Sequence, residues 1–426
     1  MQEIVLNPDS ETANPHSELT PAMRQYFDVK ETCKDAILFF RIGDFYEMFF
    51  DDAKLASRVL NIALTTRDRN KENPVPMCGV PYHAAAGYIA KLVNEGHKVA
   101  VCEQTENPKE AKGIVRRELT RIITPGVVLE EELLDAKSNN FIASVTWSGS
   151  IGGLSYMDVT TGEFKTAEFS EESALLDEIK RIEPKELLIA EELLNNAEGS
   201  MFKAQLSFRV TPVSSIRYDD AERGLTGHFH TLSLDGFGCA SLHEGVKAAW
   251  MLLQYVKETQ RGSLPHIQNL STYNPGQFML IDSMTKKNLE LVDSIRHGSK
   301  KGTLIELLDK TKTAMGGRRL RNWLEYPLKD VSEIMRRLDT VEELSKEKPV
   351  REEIQTMLVR VYDIERLAVR IAINTTNPRD LTSLKDSLKS IPKIKNLLKS
   401  FQCALLKGIY HGLDEVKEAS DLIEAA

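Results

Sequence analysis

Cysteine is scarce in this sequence. Cys33, Cys78, Cys102, Cys239 and Cys403 are odd in number, widely scattered and never in CxxC spacing. That pattern excludes a thiolate zinc site and a disulfide framework, and it fits the reducing cytoplasm. Long apolar runs are missing too: nothing approaches the roughly 18 to 20 residues of a bilayer-spanning helix, so no membrane partner is expected. Mean hydropathy is −0.29. The N-terminal MQEIVLNPDSETANPHSEL has early acids and no apolar core. It is no secretory signal and is expected to be a disordered tail over residues 1–18. No GxxxxGKS or GxxxxGKT occurs; Gly298-Ser299-Lys300-Lys301-Gly302-Thr303 has lysine, glycine and threonine in the wrong arrangement for a phosphate-cradling loop. An ATPase is therefore not expected in this chain. Low-complexity segments and internal repeats are absent as well.

What is present suffices for several cores. At 426 residues, 42% hydrophobic and 28% charged, the length alone suggests about three domains. A net charge of −8 gives no bulk attraction to nucleic acid. The Debye length is only about 10 Å at moderate salt, so local patches decide contact.

Periodicity orders the chain. Thr20-Pro21 opens an amphipathic segment to about Val29, and AILFFRI over Ala36–Ile42 reads as a strand ending at Gly43. Asp44, with Glu47 three residues on, predicts the cap of a helix reaching Leu60. A Pro-rich loop is expected from Arg67 to Pro81, a helix from His83 to Asn94, and strands near Lys98–Glu103 and Glu118–Thr124. Thr124-Pro125-Gly126 and the acidic stretch from Glu130 to Glu132 mark a boundary. Beyond it, Phe141–Trp147 and Gly153–Phe164 read as a strand hairpin, followed by a helix near Glu171–Arg181 and a strand at Glu186–Ala190. That order suggests a ribonuclease-H-like sheet. From about Gly245 apolar residues recur at helical spacing, in Val246–Thr259, Asp282–Ser294, Thr303–Leu308, Gly316–Leu324 and Val331–Ser345. Asn377-Pro378 starts a further helix to about Leu388.

Phe45 and Glu47 carry two readings. In one, Phe45 is core and Glu47 is the reciprocal partner of the Asp44 cap. In the other, Phe45 is a wedge for a base step, Glu47 offers a hydrogen bond to the displaced base, and Tyr46 between them packs inward. The cluster Lys109, Lys112, Arg116, Arg117 and Arg121, with two acids in thirteen positions, is either a phosphate-facing strip or a solvated face. Thr124 could offer a hydroxyl to phosphate. Asp158 and Glu163 raise a metal-dependent nuclease as the least favoured option, since no third carboxylate is placed by spacing. His83 and His97 are lone residues at element ends, more often structural than catalytic.

RIGDFYEMFFDDA, VPMCGVPYHAAAGYIAKLVNEGHKVAVCEQ, RIITPGVVLEE, LLQYVKETQ, LPHI, IDSMTKKNLEL, GTLIELLDKTKTAMGGRRLRNWLEYPLKD and NPRDLTSLK occur in this order. With them the chain resembles the MutS family along nearly its whole length after the tail. The resemblance implies a multidomain α/β plus all-α chain. Its parts are a mixed α/β mismatch-recognition domain over 19–125, a ribonuclease-H-like connector over 136–274, and the first part of a helical core and lever over 275–426. The function implied is recognition of mispaired or unpaired bases in duplex DNA as the first step of mismatch repair. Phe45 would stack on the mispaired base, Glu47 would hydrogen-bond to it, and Arg67 and Met77 would lie near backbone and groove. The resemblance implies no cofactor in this chain. It places ATP and Mg in a C-terminal domain beyond Ala426, with MutL and a homodimer as partners and a cytoplasmic, nucleoid-associated location. A protein-interaction scaffold is the alternative reading.

Overall fold

The computed structural model describes residues 20–67, 74–106, 113–194, 209–296 and 298–425. The tail expected over 1–18 lies outside them, as do Lys109 and Lys112. The chain splits into two compact units. One comprises the chain to Pro125 with Thr259–Arg261, and the other Gly126–Glu258 with Gly262–Ala426.

The first unit begins with helix α1 (Pro21–Glu31), whose proline sits in the first turn where its missing N–H costs nothing. Strand β1 (Ala36–Ile42) follows the apolar run, and strand β2 (Phe45–Phe49) returns antiparallel, with Ile42 opposite Phe45. Gly43, at φ +58°, forms the two-residue turn with Asp44, a left-handed conformation that glycine adopts without strain. The expected helix capped by Asp44 is therefore corrected to a strand. Three aromatics in FYEMF favour the pleated surface, and pairing on both sides, with β1 and with the segment Val75–Pro81, satisfies the backbone. Helix α2 (Phe50–Leu60) begins only after this strand. Asp52 in its first turn accepts the Leu38 N–H and the Lys30 ammonium, both at 2.9 Å, tying α2 to β1 and α1.

Within the loop expected from Arg67 to Pro81, the described residues Arg67 and Val75–Pro81 are sheet. Strands β3 (Thr65–Arg67) and β4 (Val75–Pro81) pair antiparallel, and β4 pairs with β2. Alternation decides this over proline content. Cys78 and Val80 are buried on one side, while Pro76 and Pro81 stand near the strand ends, where a missing donor is tolerated. Helix α3 (Ala85–Asn94), strand β5 (Lys98–Gln104) and strand β6 (Arg117–Ile123) complete the unit. The sheet order is β3-β4-β2-β1-β5-β6, with β1 and β5 the parallel pair. Helix α1 covers one face, Tyr26 meeting Phe40 and Phe49 edge-on at 5.6 and 5.1 Å. Helix α2 lies on the other, where the Cys78 thiol reaches the Ala53 carbonyl.

In the second unit, β7 (Phe141–Ser148), β8 (Ile151–Asp158) and β9 (Glu163–Phe169) form a meander. The run Gly153–Phe164, expected as one strand, is thus two, broken by a turn at Val159–Gly162. After helix α4 (Glu172–Ile182), strands β10 (Glu186–Ala190) and β11 (Arg209–Val213) add in parallel beside β7. The short strand β12 (Ser271–Thr272) closes the order β11-β10-β7-β8-β9-β12. Helix His243–Gln260 crosses one face, its carbonyls at Glu244, Gly245 and Ala248 receiving the hydroxyls of Thr146, Thr166 and Ser144. Helices occupy most of the remainder. The segment Asp282–Ser294, expected as one helix, is helical only over Ser283–Asn288. The helix starting at Asn377-Pro378 has a full capping box and continues past Pro392 to Leu398.

Candidate nucleic-acid interface

Strand register sorts the residues singled out by sequence. Glu47 stands opposite Phe40 and Gly79, Phe45 opposite Ile42 and Pro81, and Met77 opposite Phe49 and Thr65. On the far side of the sheet, Gln104 faces Arg117. Cross-strand partners share a face and the side-chain period is two. Phe45, Glu47, Arg67, Met77 and Arg117 therefore all lie on the face that α1 partly covers. Sequence singled them out one by one; the pleat brings them together.

Their environments differ. Phe45 is 47% exposed at the start of β2, while Tyr46 points to the opposite face and is buried, as expected. Glu47 is half-buried and approaches Arg67, Nη1 to Oε2 at 3.8 Å. Burial pushes its carboxyl above the usual range, and the positive charges of Arg67 and Arg117 only partly counter this. The Arg67 guanidinium also lies 5.8 Å from the Phe49 ring. Arg117 is anchored from within: Nε donates to the Arg41 carbonyl at 2.6 Å and Nη1 to Gln25 at 3.2 Å and the Val115 carbonyl at 2.9 Å. Its own charge is disfavoured first by burial. Met77 packs against the cluster containing Phe40 and Phe49, so it lines the floor of this face.

Other expectations do not converge here. Thr124 is fully buried, which corrects its assignment as a phosphate donor. Arg116 is exposed just before β6 and pairs with Glu118 at 2.6 Å. A register shift at Val101/Cys102 sets Arg121 opposite Val101, on the other face from Arg117. The described arginines of the basic cluster thus form no single strip. Asp158 is fully buried and already saturated: Oδ2 accepts from Asn139 and the Asn140 N–H, Oδ1 from the N–H and hydroxyl of Thr160. Glu163 pairs with Lys165 at 2.5 Å. Those partners make both carboxylates structural. Among the described residues no group of three or more His, Cys, Asp or Glu side chains is placed to hold a metal, and no helix is long and apolar enough to cross a membrane.

Sequence reasoning missed the opposite face of the same hairpin. Arg41 stands across from Tyr46, its guanidinium 3.7 Å from the Tyr82 ring centroid and 3.6 Å from Glu103. The Tyr46 hydroxyl donates to Glu103. The available signal was the alternation in AILFFRI, which sets Arg41 opposite in facing to Phe40 and Ile42.

A strand-borne exposed phenylalanine beside a half-buried acid and two arginines thus stands on a mixed sheet, and a second mixed sheet and a helical region follow it along the chain. Residues 20–132 match the family model of MutS domain I, residues 140–268 that of MutS domain II, and residues 284–426 that of MutS domain III. The chain belongs to the MutS family. It is 44% identical over 412 residues to the DNA mismatch repair protein MutS of Syntrophobacter fumaroxidans, covering 96% of this chain and 46% of that protein. It is 45% identical over 415 residues to the MutS of Pelotomaculum thermopropionicum, covering 95% and 47%, and 44% identical over 415 residues to that of Alkaliphilus metalliredigens, covering 96% and 47%. The chain thus spans about half the length of these curated relatives.

Proposed function

We propose that this chain recognises mispaired or unpaired bases in duplex DNA for mismatch repair, with Phe45 as a wedge that enters the minor groove and kinks the helix. The observation that carries the reading is the exposure of the Phe45 ring at the end of a strand paired on both sides. An apolar ring driven into a base step unstacks it at a cost of a few kcal/mol and bends the duplex by roughly 20 to 90°. A mispaired step has less stacking and pairing to lose, so the same deformation is cheaper there, and selection needs no base-by-base code.

Glu47, two residues along the same face, would hydrogen-bond the displaced base as acceptor when ionised and as donor when protonated. Its raised proton affinity favours the donor form more than a solvent-exposed carboxyl would. As a carboxylate near phosphates it disfavours unkinked binding. Arg67 and Arg117 supply the positive charge that a phosphate backbone requires. The reading assigns this chain binding without catalysis. ATP with Mg, MutL and a second copy of the protein belong to the proposal only through family resemblance and would act in the whole protein.

The test is fluorescence anisotropy at one fixed salt concentration with matched and G·T-containing duplexes, comparing the parent protein with Phe45→Ala. The expected result is loss of mismatch preference, by about tenfold or more, with matched-duplex affinity retained. Unchanged preference would sink the wedge and favour a scaffold for protein partners.

A further inference from the structure

Pushing a ring into a stacked duplex loads whatever stands behind the ring. A wedge on a yielding support deflects in place of parting the bases. Phe45 follows directly on the Gly43-Asp44 turn, and loop tips are ordinarily the most mobile part of a hairpin.

Here the turn is fastened. Arg41 Nε donates to the Gly43 carbonyl at 2.5 Å, and the Tyr82 N–H donates to the Asp44 carbonyl at 3.0 Å. Both turn residues therefore have their carbonyls held. The Arg41 guanidinium lies over the Tyr82 ring at 3.7 Å and near the Tyr46 ring at 5.5 Å, while Nη1 stands 3.6 Å from Glu103 Oε2. Glu103 in turn accepts from the Tyr46 hydroxyl, joining β1, β2 and β5. From the other face, Arg117 holds the Arg41 carbonyl. Tyr82 is 45% exposed yet stacked, so its ring serves the guanidinium and not a core.

We infer that Arg41 is a positioning residue for mismatch discrimination, bracing the Phe45 wedge from the opposite face of the sheet. The role rests on the wedge reading above. Arg41 shares a face with Tyr46, and Phe45 projects to the other, so the guanidinium acts through the hairpin and not by touching the base step that Phe45 enters. Only arginine can brace the turn in this way, because its planar fork serves a carbonyl and a carboxylate at once while its flat face lies on a ring, whereas lysine offers one point charge.

The experiment uses the whole protein with duplexes carrying 2-aminopurine beside a G·T mismatch. Anisotropy reads binding and the fluorescence of the analogue reads unstacking. Arg41→Lys is expected to leave the melting temperature and the matched-duplex affinity within about twofold, and to cut mismatch preference by about tenfold, with most of the fluorescence rise lost. Tyr82→Leu, which removes the stack but leaves the Arg41 hydrogen bonds, should give a smaller loss of the same kind. A purely structural role would weaken matched and mismatched binding together. Retained preference and fluorescence in both variants, where Phe45→Ala loses them, would overturn the bracing role alone. No effect from Phe45→Ala would remove the wedge reading itself.

Discussion

Glu47 shows how much one side chain's surroundings matter on this face. The carboxyl is pushed up by burial against the pull of Arg67 and Arg117. A folded value raised above the unfolded one means that the folded state holds the proton more tightly. Stability from this group therefore increases as pH falls through the folded value, and the penalty is fully present once both states are ionised. Glu47→Gln, permanently uncharged, should accordingly be more stable than the parent near pH 7 and lose that advantage as pH drops to about 4. Thermal melts across that range decide it. An advantage that widens on acidification would show that Arg67 outweighs burial.

Among the elements, the junction of β8 with helix His243–Gln260 is the tightest constraint. A Cβ at Gly153 would lie 2.1 Å from the Glu244 carbonyl oxygen and 2.7 Å from the Gly245 nitrogen. Those are backbone atoms, so relief requires the helix to lift off the sheet. Lifting it would also stretch the hydroxyl bonds from Ser144, Thr146 and Thr166. Gly153→Ala should cost at least about 1–3 kcal/mol, the usual range for overpacking, measured by urea denaturation. A smaller cost would mean that the helix seats more loosely than its hydrogen bonds suggest.

Across the second unit as a whole, the helical region grips the segment that leads into the connector sheet. Arg318 forms a fork with Asp363 at 2.6 and 2.8 Å, reaches Glu365 at 2.7 Å and donates to the Ala136 carbonyl at 2.9 Å. Arg366 donates to Thr160 and to the carbonyls of Asp135 and Ser138. Lys137 returns the contact to Asp309 at 2.8 Å. Arg318→Ala would leave Asp363 poorly compensated, and breaking such a pair costs about 3–5 kcal/mol when it is buried. A loss of about 3 kcal/mol in denaturant melts, with faster proteolysis between Gly126 and Asn140, is expected; unchanged proteolysis would show that this segment is held by the sheet alone.

The sequence by itself determined the order of domains, the strands at Ala36–Ile42 and Glu186–Ala190, and most helices after Gly245. Apolar period and caps such as Asn377-Pro378 are local signals that need no distant partner. It also pointed to Phe45 and Glu47 through a motif, but on the wrong element: Asp44 followed three residues later by Glu47 mimics a capping box, and only the ladders to β1 and β4 make that stretch a strand. Among the described residues, pairing with β2 and β3 placed Val75–Pro81 of the Pro-rich stretch in β4, and the β5–β6 register set Arg117 and Arg121 on opposite faces. Tertiary structure alone decided that Phe45, Glu47, Arg67, Met77 and Arg117 share one face and that Arg41, Tyr82 and Glu103 stand behind it. The reason is register: which residues meet across a sheet depends on partners dozens of positions away, and a shift of one residue sends every side chain to the other side.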